Sequence, residues 1–281
     1  MTRHRLTTFR HGDLVFDVDD DGPLGGEPVV LLHGWPQSST SWGPVADRLH
    51  ALGFRTVAPN QRGYSPGASP TGRRQYVLGN LAADALALID AVDAGPVHLV
   101  GHDWGAAVSY TVATTAPDRV RTLTSLAVPH PGAFRRALTT STQALHSWYM
   151  GFFQLPVVPE LFIRRFPDRF VRTLESTGQT HDNAVRDTAF ITRAGITTTL
   201  DWYRAAPLVR PGHEAGPVTV PTLHVYGARD TAVGRRCAEL NAGFVTGPYR
   251  LEVLEEVSHW IPEEAPDEVV DLFEHHVARH S

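Results

Sequence analysis

A pentapeptide near the middle of the chain, Gly101 to Gly105, contains the residue best placed to do chemistry. It has the sequence Gly-His-Asp-Trp-Gly and follows the short, mainly apolar run from Val97 to Val100. A buried strand that turns at once into a helix is the setting of a nucleophile elbow, whose glycines permit the tight turn. A carboxylate at Asp103, at the helix N-terminus, predicts attack on an sp3 carbon and an alkyl ester on the enzyme. The simpler alternative is that Asp103 only caps the helix.

A second apolar run, Val29 to Leu32, is followed by the sequence His-Gly-Trp-Pro. In hydrolases with an elbow, the loop after this strand supplies one N–H of the oxyanion hole, and the residue after the nucleophile supplies the other. We therefore predict that the backbone amides of Trp35 and Trp104 are the two donors. Pro36 has no N–H and stiffens the same loop.

Two loops nearer the C-terminus carry an acid and a histidine. Asp230 follows the strand-like run from Thr222 to Gly227, and His259 follows the run from Leu251 to Leu254. Each residue alone is a weak signal, because loops after strands often contain Asp or His. The chain order Asp103, Asp230, His259 nevertheless matches the order nucleophile, acid, base of the α/β-hydrolase fold. We predict that these three residues form one catalytic set.

One other segment, Gly63 to Gly67, matches the letters of a serine elbow around Ser65. Pro66 follows the serine, and the residues from 68 to 72 are unsuited to the helix that an elbow needs. We therefore reject Ser65 as the nucleophile. His276 and His280 are four residues apart near the C-terminus and could share a metal ion, but a solvated helix face is the favoured interpretation.

The bulk composition indicates a soluble enzyme rather than a binding protein for nucleic acid or membranes. The chain has 281 residues and a net charge of −5, with no block of Lys or Arg. Its first twelve residues lack the apolar region of a signal peptide, and no apolar stretch approaches the length of a membrane span. The single cysteine, Cys237, excludes an internal disulfide framework and suits a reducing compartment. We therefore expect a cytoplasmic protein.

Short strands that alternate with helices predict an α/β fold with a mostly parallel central sheet flanked by helices. The segment from about 131 to 213 differs, because it contains aromatic helical stretches interrupted by prolines and no convincing strand. We interpret it as a helical cap inserted between two halves of the core, residues 1–130 and 214–281. The predicted elements are a hairpin at 6–20, strands near 29–32, 55–58, 97–101, 123–128, 221–227 and 249–254, and helices near 81–93, 106–116 and 266–279.

The sequence resembles the epoxide hydrolases of the α/β-hydrolase superfamily over nearly its whole length. The resemblance rests on the His-Gly-Trp-Pro and Gly-His-Asp-Trp-Gly motifs, on Asn-Gln-Arg-Gly-Tyr-Ser at 60–65, and on Asp230 and His259. Two tyrosines of the predicted cap complete it. Tyr149 lies ahead of a Phe-Gln-x-Pro stretch as in that family, and Tyr203 lies in Asp-Trp-Tyr-Arg. Leu155 replaces a glutamate that many members carry, which is a departure close to the predicted pocket wall.

The resemblance implies a two-step reaction without a metal or an organic cofactor. Asp103 opens the epoxide and forms an ester, and two phenolic O–H groups can hold and protonate the ring oxygen. His259, oriented by Asp230, then activates the water that hydrolyses the ester to a 1,2-diol. The alternative for Tyr149 and Tyr203 is that they only pack the cap.

The predicted pocket wall is apolar, so we expect a hydrophobic aryl or alkyl epoxide as substrate. This wall comprises Trp148, Phe152, Phe153, Leu155 and Trp202. The only other expected partner is water, and the sequence leaves a homodimer open. A haloalkane dehalogenase on the same scaffold is the first alternative, with the Trp104 indole as a halide donor. A non-catalytic ligand-binding relative is the second.

Overall fold

An eight-stranded sheet lies at the centre of the computed structural model, which describes residues 4–208 and 216–280. The strand order is β1-β2-β4-β3-β5-β6-β7-β8, and strands β3 to β8 are parallel. The hairpin β1–β2 joins the sheet antiparallel to β4. The strands are β1 Thr8–His11, β2 Leu14–Asp21, β3 Pro28–Leu32, β4 Arg55–Pro59, β5 Val97–His102, β6 Val120–Leu126, β7 Thr222–Gly227 and β8 Tyr249–Leu254.

The central strands β3 and β5 are buried on both faces, as parallel strands covered by helices must be. Their side chains alternate between two cores. Val30 and Leu99 belong to the core that extends into the cap segment, whereas Leu31 and Val100 belong to the opposite core. The active-site loops leave the carboxyl ends of these strands, which is the edge at which open α/β sheets bind ligands.

Helices cover both faces of the sheet. α1 and α13 pack on one face, and α2 and α3 pack on the other. The helices of the core are α1 Gly43–Ala51, α2 Leu78–Val92, α3 Trp104–Thr115, α11 Arg235–Leu240, α12 Ile261–Glu264 and α13 Pro266–His280. Short 3-10 turns occur at Ser39–Trp42, Pro66–Ala68, Arg73–Tyr76, Pro117–Arg119, Ala206–Leu208 and Asn241–Phe244.

Among the described residues, seven α-helices follow β6 before the chain returns to the sheet at β7. They are α4 Pro131–Thr140, α5 Gln143–His146, α6 Trp148–Phe153, α7 Val158–Arg165, α8 Pro167–Glu175, α9 His181–Ala194 and α10 Ile196–Ala205. The structure describes no strand between 131 and 208. The predicted boundary at 213/214 lies outside the described residues, so the division into core and cap stays a prediction.

The α/β-hydrolase fold and the elements predicted from the sequence are confirmed with shifts of a few residues at their ends. The prediction that His276 lies on a solvated face of the last helix was wrong. His276 is buried, and its Nε2 lies 3.3 Å from the carbonyl oxygen of Pro221. Within the described residues, no group of His, Cys, Asp and Glu side chains could hold a metal ion. No described helix is long and apolar enough to cross a bilayer.

Candidate active site

Asp103 occupies the sharp turn between β5 and α3. Its φ of 51° and ψ of −121° lie outside the regions that non-glycine residues prefer, so the surrounding structure must hold the turn. A side chain at Gly105 would collide with the carbonyl of Leu32, and one at Gly34 would collide with the Asp103 side chain. Both glycines are therefore required for the elbow to pack against the loop after β3.

The Asp103 carboxylate points into the oxyanion-hole position rather than back onto its helix. It makes no capping hydrogen bond to α3, so the helix-cap alternative does not describe it. Oδ1 instead accepts a hydrogen bond of 2.8 Å from the backbone N–H of Trp35, and the neighbouring amide of Trp104 helps to lower the pKa of the carboxyl. Asp103 is buried, with only 7% of its surface exposed.

His259 lies between two carboxylates. Its Nδ1 is 2.7 Å from Oδ2 of Asp230, and its Nε2 is 3.4 Å from Oδ2 of Asp103. The other oxygen of Asp230 accepts hydrogen bonds from the N–H groups of Ala232 and Val233, at 2.7 and 2.8 Å. These bonds fix the acid that orients the imidazole. The three residues are thus together, as the sequence predicted from their order and from the strands that they follow.

The electrostatics favour a charged histidine in the free protein. Burial alone lowers the pKa of His259, but the charges of Asp230 and Asp103 and their hydrogen bonds raise it to about 10. Burial likewise raises the pKa of Asp103, yet the hydrogen bond and charge of His259 leave it below its ordinary value. At neutral pH the site therefore contains an imidazolium between two carboxylates.

We expect the His259 ring to stay protonated through neutral pH and to lose its proton as the pH approaches about 10. The stabilisation of the fold by this charge is complete below the ordinary pKa of 6.5 and is lost as the pH rises toward 10. Histidine-selective NMR across a pH series measures the transition. In Asp103→Ala the same ring should titrate at lower pH, because one negative neighbour is gone. A wild-type midpoint below pH 7 would contradict the assignment.

Tyr149 on α6 and Tyr203 on α10 stand over the elbow. Their rings are 6.0 Å apart, and the Tyr203 ring is 5.1 Å from that of Trp104. Burial and then the charge of Asp103 raise the pKa of both phenols above the ordinary value, so both are O–H donors at neutral pH. The rings of Trp104 and Tyr203 pack edge to face, with an interplanar angle of 89°.

Neighbouring residues hold Tyr203 in this place. The side chain of Gln154 donates a hydrogen bond of 2.7 Å to the backbone oxygen of Tyr203. The adjacent Arg204 forms a buried ion pair with Glu160 at 2.7 Å. Trp202, on the other side, donates its indole N–H to the carbonyl of Arg62 at 2.8 Å and so ties α10 to the core.

A cavity of about 850 Å³ leads from Asp103 along α3 to the surface. Its wall includes Ala107, Thr111, Thr114 and Thr115, which share one face of the helix. The threonine hydroxyls donate to carbonyls one turn earlier in α3, so the wall offers mainly their methyl groups. Sequence reasoning missed this wall, although the spacing of the threonines behind the nucleophile could have indicated it. The cap side contributes Phe134, Leu138, Tyr149, Met150, Trp202 and Tyr203.

Four of the five predicted pocket residues lie elsewhere. Trp148 is 70% exposed and faces solvent, and Leu155 is also exposed. Phe153 is buried, but it packs on Trp35 with ring centroids 4.8 Å apart and does not line the cavity. Phe152 packs beside it. Of the predicted wall, only Trp202 borders the cavity, so the residue that departs from the family pattern, Leu155, is remote from it.

Comparisons with known proteins agree with this architecture. Residues 27–266 match the family described as alpha/beta hydrolase fold. The chain is 30% identical to the AB hydrolase superfamily protein YfhM of Bacillus subtilis, over 88% of the chain and 87% of that protein. It is 29% identical to epoxide hydrolase A of Mycobacterium tuberculosis, over 90% of both. The crystal structure of epoxide hydrolase A from Mycobacterium thermoresistibile is similar, with a TM-score of 0.82, 26% identity and coverage of 96% and 97%.

Proposed function

The chain belongs to the α/β-hydrolase fold family, and we propose that it is an epoxide hydrolase acting through a covalent ester on Asp103. Relatives named epoxide hydrolase support the reaction class. The observation that carries the proposal is the pair of buried phenols, Tyr149 and Tyr203, beside a carboxylate nucleophile. A carboxylate needs no such donors to bind a ligand, whereas an epoxide oxygen needs them when its ring opens.

In the first step, Oδ2 of Asp103 attacks one ring carbon, and the carbon–oxygen bond on that carbon breaks. Oδ1 is already held by the amide of Trp35, so it becomes the carbonyl oxygen of the ester. The electron pair of the broken bond goes to the former ring oxygen. Tyr149 and Tyr203 donate hydrogen bonds to this oxygen, and one of them delivers the proton.

In the second step, His259 removes a proton from a water molecule, and the resulting hydroxide attacks the ester carbonyl. The negative charge of the tetrahedral intermediate develops on the oxygen that faces the amides of Trp35 and Trp104. The intermediate then expels the second oxygen of the diol, which takes the proton that His259 removed from water. The proton left on the Asp103 carboxyl returns to the tyrosine that ionised in the first step. Asp230 stabilises the charged imidazole, and a 1,2-diol leaves.

We propose an elongated hydrophobic epoxide as the substrate class. The cavity follows α3 from Trp104 to Thr115, a length of about 16 Å at 1.5 Å per residue. Methyl groups and the rings or aliphatic side chains of the cap form its wall, which favours an alkyl or aryl substituent over a polar one. Chiral analysis of the diols from a panel of epoxides with increasing chain length tests this choice.

Replacing Tyr149 or Tyr203 by phenylalanine removes one donor and preserves the shape of the ring. Because loss of one oxyanion donor typically costs roughly 10²- to 10³-fold in rate, each single variant should be slow in alkylation. The double variant should be nearly inactive, since no phenol remains to protonate the ring oxygen. Single-turnover formation of the Asp103 ester measures the effect directly.

Tyr110→Phe is a matched control, because Tyr110 is a buried tyrosine that hydrogen-bonds to Ser125 within the core. It should alkylate at the wild-type rate. A dehalogenase should largely tolerate the changes at Tyr149 and Tyr203, because a halide leaves without a proton. Wild-type alkylation rates in all three cap variants would show that these tyrosines only pack the cap. Halide release without diol formation would favour the dehalogenase.

A further inference from the structure

A row of polar contacts between buried residues leads from the main chain of His259 to helix α9. His102 lies 2.8 Å through Nε2 from the carbonyl oxygen of His259 and 2.8 Å through Nδ1 from the amide oxygen of Gln37. Gln37 donates a hydrogen bond of 2.9 Å to Glu263. Glu263 in turn accepts from Arg186 on α9 at 2.6 Å. None of the three side chains between His259 and Arg186 takes part in the proposed chemistry.

The two ends of this row of side chains lie in different segments of the protein, at His259 and on α9. A carbonyl oxygen only accepts, so Nε2 of His102 carries the proton that binds His259. Burial lowers the pKa of His102 to about 4, so the ring is neutral at pH 7 and Nδ1 has no proton to donate to the Gln37 oxygen. At the far end, Arg186 also binds Asp187, a fully buried acid of the same helix, at 2.8 Å. The contacts of His102 and Gln37 join residues 65, 157 and 226 positions apart within the predicted core, and the contact of Arg186 with Glu263 joins that core to α9 in the predicted cap.

The neighbours of His259 are also held, but by separate groups. The N–H and hydroxyl of Ser258 both donate to Glu264, at 2.7 and 2.6 Å. The indole N–H of Trp260 donates to Thr177 at 3.0 Å. Only His102 binds the backbone of His259 itself among the described side chains. A catalytic imidazole has to be positioned to within a fraction of an ångström, and the position of its backbone determines where the ring lies.

We propose that His102 is a positioning residue that holds the main chain of His259 through the hydrogen bond from its Nε2. This inference rests on the proposed function, because its first readout is hydrolysis of the Asp103 ester. Alkylation does not use His259 as a base, whereas hydrolysis does. Loss of the hydrogen bond from His102 to the main chain of His259 should therefore slow hydrolysis of the ester and leave alkylation unchanged.

The test is single-turnover kinetics of both steps in His102→Phe, which keeps a ring and removes both contacts. We expect alkylation within about threefold of wild type and hydrolysis slower by roughly 10- to 10²-fold, with visible accumulation of ester. His102→Gln places an amide donor near the former Nε2 and should recover most of the hydrolysis rate. His102→Leu also removes the hydrogen bond to His259, and it is the second variant if His102→Phe does not fold.

His98→Phe is the matched control, because His98 is a buried histidine of the same strand that contacts Thr122. It should leave both steps unchanged. A second readout needs no substrate: the NMR signal of the Nδ1 proton between His259 and Asp230 should shift or broaden in His102→Phe but not in His98→Phe.

The outcomes separate this inference from the proposed function. Hydrolysis at the wild-type rate in both His102→Phe and His102→Leu would overturn the positioning role, even if the enzyme makes diols. If wild-type protein forms no ester with any epoxide, the proposed function fails, and the NMR comparison decides the positioning role. An unchanged NMR signal of the His259 Nδ1 proton in His102→Phe would then reject the positioning role of His102.

Discussion

Asp103→Ala should abolish epoxide turnover, with a fall in kcat of roughly 10⁴- to 10⁶-fold, the range seen when a catalytic nucleophile or base is removed. Without the carboxylate no ester can form, and the tyrosines alone offer only weak acid assistance to attack by water. The elbow backbone is held by Gly34 and Gly105 and by the loop after β3, so the fold should persist. Diol formation by chiral chromatography and thermal unfolding by circular dichroism measure the two effects.

Ser65→Ala is the control for this prediction, because Ser65 is the centre of the other elbow-like motif. Its hydroxyl donates to the carbonyl of Asn60 at 2.7 Å and lies in a turn that precedes a short 3-10 segment, Pro66–Ala68. This variant should retain turnover. Activity of more than a few per cent in Asp103→Ala would remove Asp103 from the nucleophile's role.

His259→Gln should trap the protein as its covalent ester. The first step needs the Asp103 carboxylate and the phenols, whereas the second needs a base for water, so hydrolysis should fall by roughly 10⁴-fold or more. Intact-mass spectrometry after addition of an epoxide should show the protein mass increased by one substrate. Peptide mapping should place the addition on Asp103.

His224→Gln provides the same substitution at a buried histidine of β7 that contacts Ser125. It should turn over substrate without accumulating ester. If His259→Gln stays unmodified while substrate binding is demonstrated, the two-step mechanism is wrong. A wild-type protein that accumulates ester to the same degree would mean that His259 is not the base for hydrolysis.

The sequence predicted that Asp103, Asp230 and His259 lie together, because each of the three signals is local. The elbow needs glycines within two residues of Asp103, and the acid and base loops follow strands whose apolar runs are plain in the sequence. Parallel strands have their carboxyl ends at one edge of the sheet, so the loops with Asp103, Asp230 and His259 lie close together. This prediction does not depend on the structure of the cap. The same reasoning holds for the amide of Trp35.

The pocket wall could not be predicted in this way. Trp148 and Phe153 lie on α6, a helix of six residues, which is too short for a hydrophobic period to reveal its buried face. The direction of each side chain depends on how α6 meets α10 and the loop after β3. The threonines of α3 are polar in the sequence but apolar toward the cavity, because their hydroxyls bond to the helix itself.

The imidazolium between two carboxylates determines the order of the two steps in the proposed mechanism. While Asp103 is a free anion, its charge helps to keep His259 protonated, and a protonated ring cannot draw a proton from water. Esterification erases that charge, so the ring releases its proton more readily once there is an ester to hydrolyse. In the proposed mechanism, the charge of Asp103 therefore keeps His259 from acting as a base until the ester has formed, and water is activated only after that step.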